Sequence, residues 1–180
     1  MSLERKFCQL DSDLKVVGGS NIAGYASLFG MSDQGGDIVE PGAYGASLAR
    51  AVKKGATVKM LWQHDPSQPI GVWDEVVEDA KGLWVKGRIL TDVARGREAV
   101  ALIEAGAIDG LSIGYRTIKS RRNDKGARLL SELELWEVSL VTFPMLPDAR
   151  VDAKGDDPTA TTLREMARVF QDARHHMARE

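Results

Sequence analysis

Between Ile22 and Phe143 apolar and polar residues alternate in short runs, separated by glycine, proline and charged clusters. Such runs read as half-buried strands, because successive side chains of a strand point to opposite faces. Ile22 to Phe29 is the first, anchored by Ile22, Tyr25 and Phe29. Thr57 to His64 is the second, with Met60, Trp62 and His64 pointing one way. Ile70 to Val77 and Leu83 to Leu90 are joined through Glu78-Asp79-Ala80-Lys81-Gly82 and predict an antiparallel hairpin. Ile108 to Ser120 and Leu129 to Phe143 are the last runs, separated by a charged turn from Arg121 to Gly126 and closed by Pro144 and Pro147.

Two stretches carry the helical period instead. Ala43 to Lys54 places Tyr44, Leu48 and Val52 on one face, and Gly55 is set to cap its end. The second runs from an N-cap at Thr91 or Asp92 to about Glu104, with Val93, Val100, Leu102 and Ile103 among its apolar positions, and stops at Gly106. Ser32 to Gly36 and Asp65 to Pro69 read as loops. The pattern divides the chain into a partly ordered lead-in (1–20), a folded domain (21–151), and a linker with a helical tail (152–180). In that tail Leu163, Met166, Val169 and Phe170 share a stripe. The fold class is mainly β with flanking helices (α+β), an antiparallel barrel or sandwich. Alternating βαβ units are missing, which excludes a doubly wound parallel sheet.

Composition narrows the function classes. At 180 residues the chain suits one domain, and a hydrophobic fraction of 43% supplies a core. A net charge of −2 provides no polyanion-binding surface, so no nucleic-acid partner is expected. Cys8 is the single cysteine, which excludes an intramolecular disulfide and reads as a free thiol. No apolar run reaches the length of a membrane span and no leader pattern opens the chain, so no membrane partner and a cytosolic setting are expected.

Three residues stand out chemically. Gly110-Leu111-Ser112-Ile113-Gly114 matches G-x-S-x-G, the nucleophile elbow of α/β-hydrolases. The elbow needs a helix after the serine, yet Tyr115 to Ile118 continues as strand, and the only histidines downstream are His175 and His176 in the tail. A serine between glycines on a strand also serves plain close packing. His64 is the one histidine outside the tail, and histidine is the usual general base near neutral pH. It is the base by elimination if the chain is a serine-dependent hydrolase; otherwise it is a partly buried histidine satisfied by Asp65 or a carbonyl. Glu137 falls by period two on one face with Leu133, Leu135, Ser139 and Val141, while Glu132 and Glu134 alternate onto the solvated face. A carboxylate among apolar residues requires a cationic or hydrogen-bonding partner, either His64 or an arginine. His175 and His176 are adjacent and cannot share a helix face, and neither HExxH nor CxxC occurs, so no metal or other cofactor is expected.

In chain order these blocks resemble the prohead (capsid-maturation) serine proteases of tailed phages. Gly24-Tyr25-Ala26 with Gly36-Asp37-Ile38-Val39-Glu40-Pro41-Gly42-Ala43-Tyr44 is similar to their opening. Leu61-Trp62-Gln63-His64-Asp65, then Pro69-Ile70-Gly71, is similar to their histidine block. Gly110 to Tyr115 resembles the serine block, and Leu135 to Thr142 with Pro144 the third. The resemblance implies an assemblin-like antiparallel β-barrel, related to the herpesvirus assemblins. It implies Ser112 as nucleophile, His64 as general base and acid, Glu137 as orienting acid, and no cofactor. The implied substrate is the phage's own capsid protein or scaffold segment, cut in the assembling procapsid in the host cytoplasm; homodimerisation and self-cleavage of the tail are implied by analogy. Met145-Leu146 departs from the family where assemblins carry oxyanion-stabilising backbone donors. Two rival readings remain: a non-catalytic capsid-assembly or scaffolding barrel, which predicts Ser112 far from His64, and a barrel binding single-stranded nucleic acid, against which the acidic balance counts.

Overall fold

The computed structural model of the chain describes residues 4–7, 10–17, 19–33, 35–124, 126–143 and 149–152. Among them lie ten strands and two helices: β1 (Glu4–Phe7), β2 (Leu10–Val17), β3 (Asn21–Leu28), β4 (Asp37–Val39), α1 (Gly45–Lys54), β5 (Lys59–Trp62), β6 (Asp65–Glu78), β7 (Gly82–Ile89), α2 (Ala94–Glu104), β8 (Gly110–Arg122), β9 (Arg128–Val141) and β10 (Ala149–Asp152). They form one sheet ordered β1-β8-β9-β5-β6-β7-β3-β2-β10, with β4 attached to β9. The sheet curls into a half-barrel. Its inner face is filled by Ile22, Met60, Ile70, Leu83, Val85, Ile113, Tyr115, Leu133 and Val138, each at most 1% exposed. The expected class, mainly β with flanking helices, is the one found.

The sheet is not purely antiparallel. β5 and β4 both run parallel to β9, and β10 runs parallel to β2. The hairpin of β6 and β7 forms as the alternation predicts, and the longest antiparallel ladder joins β8 to β9. The polar lead-in contributes β1 and β2, so the sheet draws Glu4–Phe7 and Leu10–Val17 into the folded unit. Backbone ladder bonds need no apolar side chain, which is why polarity alone hid these strands.

Both helices end where expected. Gly55 adopts φ 61° and its N–H returns to the last turn of α1, and Gly106, at φ 71°, does the same for α2. Of the expected Tyr44–Leu48–Val52 stripe, Tyr44 is buried and Leu48 packs against the core, while Val52 is not on the buried face. Val52 is 82% exposed, while Ser47 is buried and its hydroxyl accepts the Leu135 N–H at 2.9 Å. Ser47 thereby supplies the acceptor that a buried backbone donor of β9 needs. α2 starts at Ala94, after an extended Val93 that offers no side-chain cap, so neither Thr91 nor Asp92 is the N-cap. Asp65 to Pro69, read as a loop, is the first part of β6. Cys8, Pro144 to Pro147, most of the linker and the tail helix lie outside the described residues.

Candidate active site

The site is built on the three adjacent strands β8, β9 and β5. Along β8 and β9, Gly110 faces Val141, Ser112 faces Ser139 and Gly114 faces Glu137; between them Leu111 faces Leu140 and Ile113 faces Val138. Directly opposed residues share a sheet face. The Leu111 and Ile113 pairs point into the core, so Ser112, Gly114, Glu137 and Ser139 share the other face.

A one-residue irregularity creates this arrangement. Tyr115 pairs with Leu135 and Gly114 with Glu137, so Trp136 has no partner and forms a bulge. Regular alternation would have put Glu137 on the face of Leu133 and Leu135, as the sequence pattern suggests. The extra residue switches the parity. Leu133 and Leu135 fill the core before it, Val138 and Leu140 after it, and Glu137 turns to the site face. Glu134, opposite the Leu133 and Leu135 face as alternation predicts, is paired with Arg116 and bound to its guanidinium at 2.5 Å; the bulge brings Glu137 onto the same face as Glu134. Trp136, 51% exposed, points away from the core.

Gly110, Ser112 and Gly114 occupy the site face of a strand, so the G-x-S-x-G string is no strand-to-helix elbow. Gly114 has a separate reason to lack a side chain: a Cβ there would collide with the Glu137 carboxylate. The glycine leaves the volume into which the acid folds.

His64 does not continue β5. Gln63 and His64 form the two-residue turn between β5 and β6, with φ of 53° and 61°. Two positive φ values in sequence characterise a type I′ hairpin, which favours Asn-Gly. Holding non-glycine residues there costs on the order of 1–3 kcal/mol each, and such strain persists only where the surroundings impose it. Here they do. The Gln63 N–H donates to the Leu140 carbonyl at 2.9 Å, and its side-chain amide donates to Thr142 Oγ1 at 2.6 Å. The His64 N–H donates to Ser139 Oγ at 3.1 Å. The turn thus leans onto β9, and the imidazole crosses above that strand towards β8.

The contacts follow from this placement. His64 Nδ1 lies 2.5 Å from Glu137 Oε1, and Nε2 lies 2.5 Å from Ser112 Oγ. The Ser139 hydroxyl donates to Glu137 Oε2 at 2.6 Å. An ionised carboxylate only accepts, so the proton of a neutral imidazole sits on Nδ1, leaving Nε2 to accept the serine proton. His64 is 6% exposed, Glu137 4%, and Ser112 and Ser139 wholly buried. Water therefore competes little for these bonds, and a buried carboxylate has the partners it needs. Below the ladder the Trp73 indole N–H donates to the Val138 carbonyl at 3.2 Å, anchoring β9 between acid and serine.

The structure brings together the three candidates singled out from the sequence and adds Ser139 and Gly114, which residue chemistry alone did not single out. One signal was visible: apolar positions run odd at Leu133 and Leu135 and even at Val138 and Leu140, a phase change that marks the bulge. Among the described residues no group of three or more potential ligands could hold a metal, and no helix is long and apolar enough to cross a membrane.

Comparison with known proteins identifies the family. The profile of the caudovirus prohead serine protease family matches residues 10–166. The prohead protease of Enterobacteria phage HK97 is 31% identical over 153 residues, covering 83% of this chain and 67% of that protein. A capsid polyprotein of Pseudomonas phage PAJU2 is 31% identical over 154 residues, covering 79% of this chain and 20% of the polyprotein. Among solved structures, the bacteriophage T4 capsid assembly protease shares the fold, with a TM-score of 0.60 at 15% identity, over 77% of this chain and 96% of that one. The chain belongs to the caudovirus prohead serine protease family, and it is a serine peptidase with a role in phage capsid maturation.

Proposed function

We propose that Ser112 is the nucleophile of this peptidase, His64 its general base and then acid, and Glu137 the carboxylate that orients the imidazole. The supporting observation is the continuous relay from Ser112 Oγ through both nitrogens of His64 to Glu137, with both links at 2.5 Å. That proximity also counts against a non-catalytic scaffolding barrel, which has no reason to hold Ser112 beside His64.

As Ser112 Oγ bonds to a peptide carbonyl carbon, its proton passes to His64 Nε2 and the carbonyl π pair moves onto oxygen. Glu137 stabilises the imidazolium without taking its proton. The oxyanion collapses, the C–N bond breaks, and Nε2 delivers the proton to the leaving amine. A water then loses a proton to Nε2 and attacks the ester, and Ser112 leaves and recovers its hydrogen. The substrate is an exposed segment of the phage's own capsid protein or scaffold, cut within the procapsid in the host cytoplasm, and the chain's segment beyond Asp152 is a candidate for self-cleavage.

Ser112→Ala co-expressed with the capsid protein tests this reading. Cleavage is expected to fall by roughly 10⁴-fold or more, while the protein stays folded. Processing at the parent rate would remove Ser112 from the mechanism.

A further inference from the structure

We propose that Ser139 is a positioning residue for catalysis, acting on the acid and the base together. The inference rests on the reading of Ser112, His64 and Glu137 above. Ser139 is wholly buried on β9, two residues beyond Glu137 and directly opposite Ser112. Its hydroxyl uses both of its capacities within the site: it donates to Glu137 Oε2 at 2.6 Å and accepts the His64 N–H at 3.1 Å.

Each bond solves a different problem. Glu137 offers two oxygens, and only Oε1 meets His64. Left alone, Oε2 would be a buried charge-bearing atom without a donor, and the carboxylate could rotate to find one. The Ser139 proton fixes which oxygen faces the imidazole. The other bond holds the backbone of His64 in its left-handed conformation. A relaxed φ at that residue would swing the imidazole off the line between Glu137 and Ser112, and small displacements of reacting groups are costly in rate. A single hydroxyl thus sets the rotamer of the acid and the backbone of the base.

Ser139 is not a second nucleophile. Its proton is committed to Glu137, and the Nε2 atom of His64 faces Ser112. Nor is the residue mere packing, since the core lies on the opposite face of the strand and both atoms it binds belong to the catalytic constellation.

The test compares the full chain with Ser139→Ala and with Ser139→Cys, which keeps the volume but donates weakly. Three readouts are needed: the rate at which a fluorophosphonate labels Ser112, kcat and KM on a peptide spanning the processed capsid junction, and the pH dependence of kcat/KM. Labelling and kcat should fall about 10- to 100-fold in both variants, with KM little changed. The acid limb of the pH profile should move to higher pH, because a carboxylate that has lost its other donor concentrates charge beside the imidazole. A folded variant of either kind that labels at the parent rate with an unmoved acid limb would overturn the proposal. Ser112→Ala serves as the reference: if it still labels, the nucleophile assignment falls and this inference with it, whereas loss of labelling there with parent-like Ser139 variants removes this inference alone.

Discussion

The two faces of the β8–β9 ladder are made by the same backbone and obey different rules. On the core face, Leu111, Ile113 and Tyr115 meet Leu140, Val138 and Leu135. Their interaction is non-directional, and loss of a methylene is a graded loss of buried area and packing. On the site face, Gly110, Ser112 and Gly114 meet Val141, Ser139 and Glu137. There the interactions are hydrogen bonds of defined direction, and one misplaced atom breaks the relay. With the catalytic roles proposed above, stability resides mostly on one side of this ladder and reactivity on the other, only a strand thickness apart.

That contrast can be broken deliberately. Gly114→Ala places a methyl group where the Glu137 carboxylate sits, so the acid must move or β8 and β9 must part. Activity on a capsid-derived peptide should fall about 100-fold or more, with a stability loss of about 1–3 kcal/mol in urea titration. A variant with parent activity would show that the carboxylate tolerates another position. Ile113→Val, its neighbour on the opposite face, should do the reverse. The expected cost is about 0.5–1.5 kcal/mol of stability with kcat/KM unchanged. A large loss of activity in a stably folded Ile113→Val protein would mean that the faces are coupled.

The smallest effect belongs to a control away from the ladder. In the β6–β7 turn, Asp79 accepts the Tyr25 hydroxyl at 2.6 Å and the Gly82 and Lys81 N–H groups. The Tyr25 bond foremost, with the two backbone bonds, holds its carboxyl below the ordinary aspartate value despite some desolvation. A depressed folded-state value contributes stability above the unfolded-state value, and the contribution is lost as pH falls through the folded one. Asp79→Asn should therefore flatten the acid side of the stability–pH curve by well under about 1 kcal/mol, since the group is exposed, and leave peptidase activity intact. A thermal-melt series from neutral to acid pH reads this directly.

The legible parts of the molecule are those in which local chemistry and periodicity agree. The β6–β7 hairpin, the β8 strand and the glycine stops of both helices follow from alternation and from residues that tolerate positive φ. Chain order was legible too, with a lone His64, then Ser112, then Glu137. The illegible parts depend on tertiary support. Gln63-His64 lacks the glycine, asparagine or aspartate that marks such a turn in a sequence, and it is held by Leu140, Thr142 and Ser139. Glu137 was singled out on strict alternation, which placed it with Leu135, whereas the bulge puts the two on opposite faces. β1 and β2 satisfy a sheet with their backbones and carry no apolar rhythm that would disclose them.

The bulge at Trp136 also shapes how this site can vary under mutation. Its side chain is half exposed, so many residues could replace it without disturbing the relay. Its backbone is another matter. Were Trp136 drawn into the regular alternation of β9, every later residue would change face, sending Glu137 and Ser139 into the core and Val138 and Leu140 out of it; because it faces no residue of β8, removing it in frame would instead leave Leu135 and Glu137 as consecutive partners of Tyr115 and Gly114. Parity, not identity, is the heritable quantity here: many residues can stand at Trp136, provided that position stays outside the regular alternation of the strand.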